Sequence, residues 1–105
     1  MSVKRIFDEM PKRYVTGKAT KTTVFYFSIG DFKATVTIAP DGVTVEENKK
    51  VDNADVVLKT TPELFEKMVL KGKMPGPIDI ARGKIKTNDP MGLKGLRDYF
   101  DFKGL

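Results

Sequence analysis

At 105 residues the chain is the size of one domain, since independent domains cluster near ~100–150 residues, and a single unit over 1–105 is expected. A composition of 40% hydrophobic and 31% charged residues is that of an ordinary folded domain, and no run approaches the ~18 apolar residues of a membrane-crossing helix. The net charge of +5 invites an anionic partner, while the lack of cysteine removes disulfides and thiolate chemistry and makes a reducing cytoplasm the expected address.

Val3, Ile6, Phe7 and Met10 recur at helical spacing, with Ser2 placed to cap the helix and Pro11 to end or kink it. Residues 22–29 then alternate, with Thr23, Phe25, Phe27 and Ile29 on one side and Val24, Tyr26 and Ser28 on the other, as in a half-buried strand. Gly30-Asp31 turns the chain into a partner strand over 32–39, where Phe32, Ala34, Val36 and Ile38 share a face. Pro40-Asp41-Gly42 is a second turn signal, and 43–47, with Val43 and Val45 inward, adds a third antiparallel strand. A polar loop over 48–53 leads to a fourth strand over 54–60. Thr61-Pro62-Glu63 opens a helix with a cap hydroxyl, a proline where no N–H is required and an acid at the positive end of the dipole. Leu64, Phe65, Met68 and Val69 form its apolar face, and Gly72 stops it.

Ile78 and Ile80 share one face of a fifth strand from which Ile85 is out of phase, a change that a bulge at Gly83 would produce. Asn88-Asp89-Pro90 caps a last helix with apolar positions Leu93, Leu96 and Phe100, flanked by Met91, Tyr99 and Phe102. The expected fold class is α+β, a curved five-stranded mixed sheet covered on one side by helices.

Catalytic signatures are sparse. Without histidine or cysteine there is no imidazole base, thiolate or soft metal ligand, and neither a metal nor a cofactor is expected. The carboxylates Glu63 and Glu66, and Asp98 and Asp101, sit among polar residues on outward positions, away from the burial that drives catalytic pKa values apart. Gly72-Lys73-Met74-Pro75-Gly76 has neither the spacing nor the following helix of a phosphate loop. Phe25 and Phe27 share a face with Ile29, which makes them core rather than a stacking platform and argues against nucleic acid. The expectation is a protein that is not an enzyme.

Ala54-Asp55-Val56-Val57-Leu58, Thr61-Pro62-Glu63-Leu64-Phe65, Gly72-Lys73-Met74 and Gly83-Lys84-Ile85-Lys86, in this order and spacing, resemble the sterol carrier protein 2-like lipid-transfer domain. The block from Phe25 to Val43 is similar to that family's opening meander. Two departures are the early Pro11 and the stretch Lys86-Thr87-Asn88-Asp89-Pro90, where the family typically continues lysine-glycine-aspartate. The resemblance implies a hydrophobic tunnel for a fatty acid, acyl-CoA, sterol or similar lipid, bound or transferred without conversion. On that basis the candidate ligand-binding residues are Phe65, Met68, Val69, Met74, Met91, Leu93, Leu96, Tyr99 and Phe100. A transient contact with an anionic membrane surface through Lys84 and Lys86 is expected alongside them. The competing reading is an assembly module whose apolar helical face meets another protein. A dry void of ~500 Å³ would cost on the order of 12 kcal/mol at ~24 cal/mol per Å³, comparable to the whole ~5–15 kcal/mol stability of a small domain. A tunnel must therefore be filled, wetted or closed by packing.

Overall fold

Alternating apolar residues give two strands, β1 (Thr23–Ile29) and β2 (Phe32–Ala39), paired antiparallel from Ile29↔Phe32 to Thr23↔Ile38. Gly30 takes a left-handed φ of 58° in the connecting turn, which glycine adopts without a Cβ clash. The computed structural model describes residues 3–15, 17–48, 53–71, 81–88, 96 and 98–102. A third strand, β3 (Gly42–Glu47), pairs antiparallel with β2, whereas β4 (Val56–Thr60) runs parallel to β1. The short β5 (Ile85–Thr87) pairs antiparallel with β4, giving a mixed five-stranded sheet in the order β3-β2-β1-β4-β5.

One face of the sheet is apolar. Phe25, Phe27, Ile29, Ala34, Val36, Ile38, Val56 and Leu58 are buried there, with Phe32, Val43 and Val45 packed at its margin. Helix α1 (Val3–Glu9) buries Val3, Ile6 and Phe7 against it, and Pro11 falls in a 3₁₀ turn, Met10–Lys12, that ends the α-helix. Helix α2 (Pro62–Lys71) contributes Phe65, Met68 and Val69, and its cap is the expected one, the Leu64 amide donating to Thr61 Oγ1 at 3.3 Å. Aromatic packing ties the layers together: the Phe7 ring lies 5.3 Å from Phe65 and 5.2 Å from Phe27.

Two expectations about the C-terminal part need correction. Ala81 is helical, 82–83 form a turn, and the strand begins only at Ile85. Gly83, with φ 73°, is thus a turn residue ahead of the strand and not a bulge within it, since the ladder with β4 starts two residues later at Ile85; Ile78 and Ile80 lie outside the described residues. Phe100, expected on a helix face, instead forms an antiparallel bridge with Tyr14. Two backbone bonds flank the bridge, from the Val15 amide to the Tyr99 carbonyl at 2.7 Å and from the Asp101 amide to the Arg13 carbonyl at 2.9 Å. Helical backbone is present at Leu96, Asp98 and Tyr99.

The opposite face of the sheet carries Val24, Tyr26, Ser28, Lys33, Thr35, Thr37, Val57, Lys59 and Lys86, and no described helix lies across it.

Candidate functional site

Of the nine residues expected to meet a ligand, six fall within the described structure. Phe65 and Val69 have no accessible surface, Met68 retains 3%, Leu96 1% and Phe100 4%, and Tyr99 is half-buried. The five buried ones belong to a single apolar cluster that also holds Phe7, Phe27 and Phe102. Met74, Met91 and Leu93 lie outside the described residues. Sequence periodicity placed Phe65, Met68 and Val69 on one face of α2 correctly, but it had no means of showing which rings meet them. Phe7 stacks on Phe65 at an interplanar angle of 3°, and Phe27 meets Phe65 edge-on at 5.7 Å.

Zero accessible surface means that no space the size of a water molecule touches Phe65 or Val69. Of the three ways to accommodate a tunnel, close packing is the one these two side chains show. The second half of the site is pinned from the N-terminal side. Tyr14 donates its hydroxyl to the Ala39 carbonyl at 2.8 Å, with the Pro40 carbonyl at 3.1 Å, and its ring meets Phe100 edge-on at 6.4 Å. Phe100 in turn lies 5.5 Å from Phe102. The segment 98–102 is therefore held by two backbone bonds and a short aromatic row over the core.

A hollow of about 300 Å³ opens on the outer side of α2, lined by Glu63, Glu66, Lys67, Leu70 and Lys71. Its accessible lining is more apolar than polar, through Leu70 and the aliphatic stems of its charged residues, and it opens on the side of α2 away from Phe65 and Val69. Among the described residues there is no grouping of carboxylates able to hold a metal ion. Away from the site, Lys4 on α1 is raised above its ordinary value by its hydrogen bond to Asp8, then by the charges of Asp8 and Glu47.

Two polar residues, Asp55 in a stretch that carried the resemblance and Asn88 in a stretch that departs from it, are structural. The Asp55 carboxylate accepts the Val24 amide at 2.9 Å, while the Asp55 amide donates to the Val24 carbonyl at 2.8 Å, fixing the entry to β4 beside β1. Asn88, expected at a helix cap, turns its side chain to β4, accepting the Val57 amide at 2.7 Å and donating to the Asp55 carbonyl at 3.3 Å. This extends the β4–β5 ladder past the last residue of β5. Lys84 and Lys86 are both exposed.

The sequence matches no family model, and no curated protein matches it. Solved structures do. A stereoselective inverting sec-alkylsulfatase, Pisa1 from a Pseudomonas species, superposes with a TM-score of 0.77 at 19% identity over 96% of this chain, which spans only 16% of that enzyme. Sterol carrier protein 2 from Yarrowia lipolytica matches at a TM-score of 0.56 and 16% identity, covering 89% of this chain and 84% of that one. UbiJ-SCP2, a ubiquinone synthesis protein, matches at 0.54 and 12% identity, covering 74% and 68%. At these identities the likeness is one of fold, and the mixed sheet, its helical cover and its connectivity give this chain the sterol carrier protein 2-like fold.

Proposed function

We propose that the protein binds or transfers a hydrophobic ligand, a fatty acid, acyl-CoA, sterol or similar lipid, without converting it. The observation that carries this reading is the fold shared with sterol carrier protein 2 over most of both chains, with the buried faces of α2 and of 96–102 joined in one apolar cluster. In this reading Phe65, Met68, Val69, Leu96, Tyr99 and Phe100, with Met74, Met91 and Leu93, line the ligand space once α2 and 96–102 part. Methionine suits such a lining because its flexible thioether adapts to irregular aliphatic guests. The chain has no histidine or cysteine with which to do base or thiolate chemistry on the guest. Native mass spectrometry of the purified protein is the direct test. Retained lipid, together with displacement of a fluorescent fatty acid, is expected; a chain that carries nothing and displaces nothing is not a carrier.

The likeness to part of a larger enzyme, an alkylsulfatase, favours a second reading, a module that assembles with a catalytic partner. Stable complex formation in the absence of lipid binding would select it.

A further inference from the structure

The face of the sheet opposite the apolar one, over which no described helix lies and in which Thr35 alone is buried among the described residues, carries a pattern that no single strand reveals. Register sets Lys33 of β2 opposite Ser28 of β1, Ser28 beside Lys59 of β4, and Lys59 opposite Lys86 of β5, so that three lysines stand in one row across four strands. With neighbouring strands ~4.8 Å apart, the row spans roughly 14 Å. All three side chains are exposed, and none has a carboxylate partner among the described residues. Lys84, also exposed, lies just ahead of β5.

Lys59 and Lys86 are direct cross-strand partners, and like charges placed opposite one another weaken a sheet. A local arrangement that works against the fold points to a use outside it. Among the described acids of this face, Asp55 lies two rows away with its carboxylate on the Val24 amide, and Glu46, on the β3 edge opposite Thr35, is a diagonal neighbour of Lys33 and lies three strands from Lys59 and four from Lys86. The adjoining row holds Tyr26 between Thr35 and Val57, half-buried, an amphipathic ring of the kind enriched where an apolar phase meets water.

We infer that this lysine row docks the protein on an anionic lipid surface, the three ammonium groups among headgroup phosphates and Tyr26 at headgroup level; the choice of a bilayer rests on the lipid-carrier reading. Lysine is a hydrated point charge that needs no bidentate geometry, which suits mobile headgroups. A nucleic acid is the poorer fit, because base stacking on an open sheet uses two or three rings, and Phe25 and Phe27 face the core.

The test compares K33Q/K59Q/K86Q with K18Q/K21Q/K67Q, which removes the same charge from other exposed positions. Both are floated with phosphatidylserine/phosphatidylcholine vesicles and with pure phosphatidylcholine vesicles, and each variant's melting temperature and fluorescent fatty-acid displacement are measured. The row variant should melt no lower than the parent and lose acidic-vesicle affinity by about fivefold per lysine, on the order of 100-fold together, while the control loses far less. Equal losses in the two variants, or parent binding indifferent to phosphatidylserine and salt, would overturn the inference. So would a row variant that keeps vesicle binding and loses binding to polyuridylate. Fatty-acid displacement separates the two ideas: displacement intact with no row-specific vesicle binding removes the docking surface alone, and row-specific docking with no displacement by any form removes the carrier reading alone.

Discussion

Asp55 shows how little of a residue's role its charge conveys. In the sequence it is one of several carboxylates at an outward position, yet its side chain accepts the Val24 amide at the point where β4 joins β1. Asp55→Ala should therefore cost about 1 kcal/mol, the net worth of such a bond, and lower the melting temperature by roughly 4–8 °C. Asp55→Asn, which keeps an acceptor oxygen, should cost less than half as much, and a thermal melt of both variants decides. Asn88 makes the same point. Its sequence context suggests a helix cap, but its amide serves the exposed edge of β4, a partner 31 positions back that local chemistry cannot reveal. Thr61 was legible because its partner, the Leu64 amide, is only three residues on.

At the scale of elements, period was the reliable signal. Strict alternation located β1 and β2 with their buried faces, and helical spacing located the apolar side of α2. Where two local signals competed, the reading failed. Gly83 between out-of-phase isoleucines suggested a bulge, and the same conformational freedom appears instead as a turn before β5. Phe100 continued a helical pattern, but pairing with Tyr14 takes it out of the helix. The lysine row was invisible for a further reason: each strand alone points its lysine outward, and only long-range register aligns them. The same scale decides between ligand lining and plain core. Enlarging a well-packed residue costs ~1–3 kcal/mol through strain, whereas a ring added where two elements part to admit a guest competes with that guest. Met68→Phe and Leu96→Phe should accordingly weaken fatty-acid displacement by more than they lower the melting temperature. Variants that melt far lower while binding lipid normally would mark both positions as ordinary core.

For the molecule as a whole, the packing of Phe65 and Val69 against one continuous cluster sets a thermodynamic expectation. On the lining proposed above, a ligand separates α2 or the 98–102 segment from the sheet, and the energy of that separation is deducted from its affinity. Ligand at a hundredfold excess over its dissociation constant should still stabilise the fold by ~2.7 kcal/mol, seen as an upward shift of the melting temperature. A panel of fatty acids, acyl-CoAs and sterols checks this, and a flat response across the panel would favour the assembly module.

The bridge between Tyr14 and Phe100 also bears on the order in which the chain folds. Arg13 and Asp101 are 88 positions apart, and closing a loop of that length costs roughly 4 kcal/mol of chain entropy, more than two backbone bonds at ~0.5–1.5 kcal/mol each return. The backbone bonds of the bridge alone do not offset that cost, so the bridge is expected to close late, once the sheet has brought its halves together and Phe100 and Phe102 can pack on the core. Removing the hydroxyl that steadies it, in Tyr14→Phe, should speed unfolding while leaving the folding rate nearly unchanged. In the native protein the amides of Val15 and Asp101 should exchange their hydrogens as a pair, well before that of Tyr26 in the middle of the sheet. Synchronous exchange of all three would mean that the strap over the core opens only when the whole molecule does.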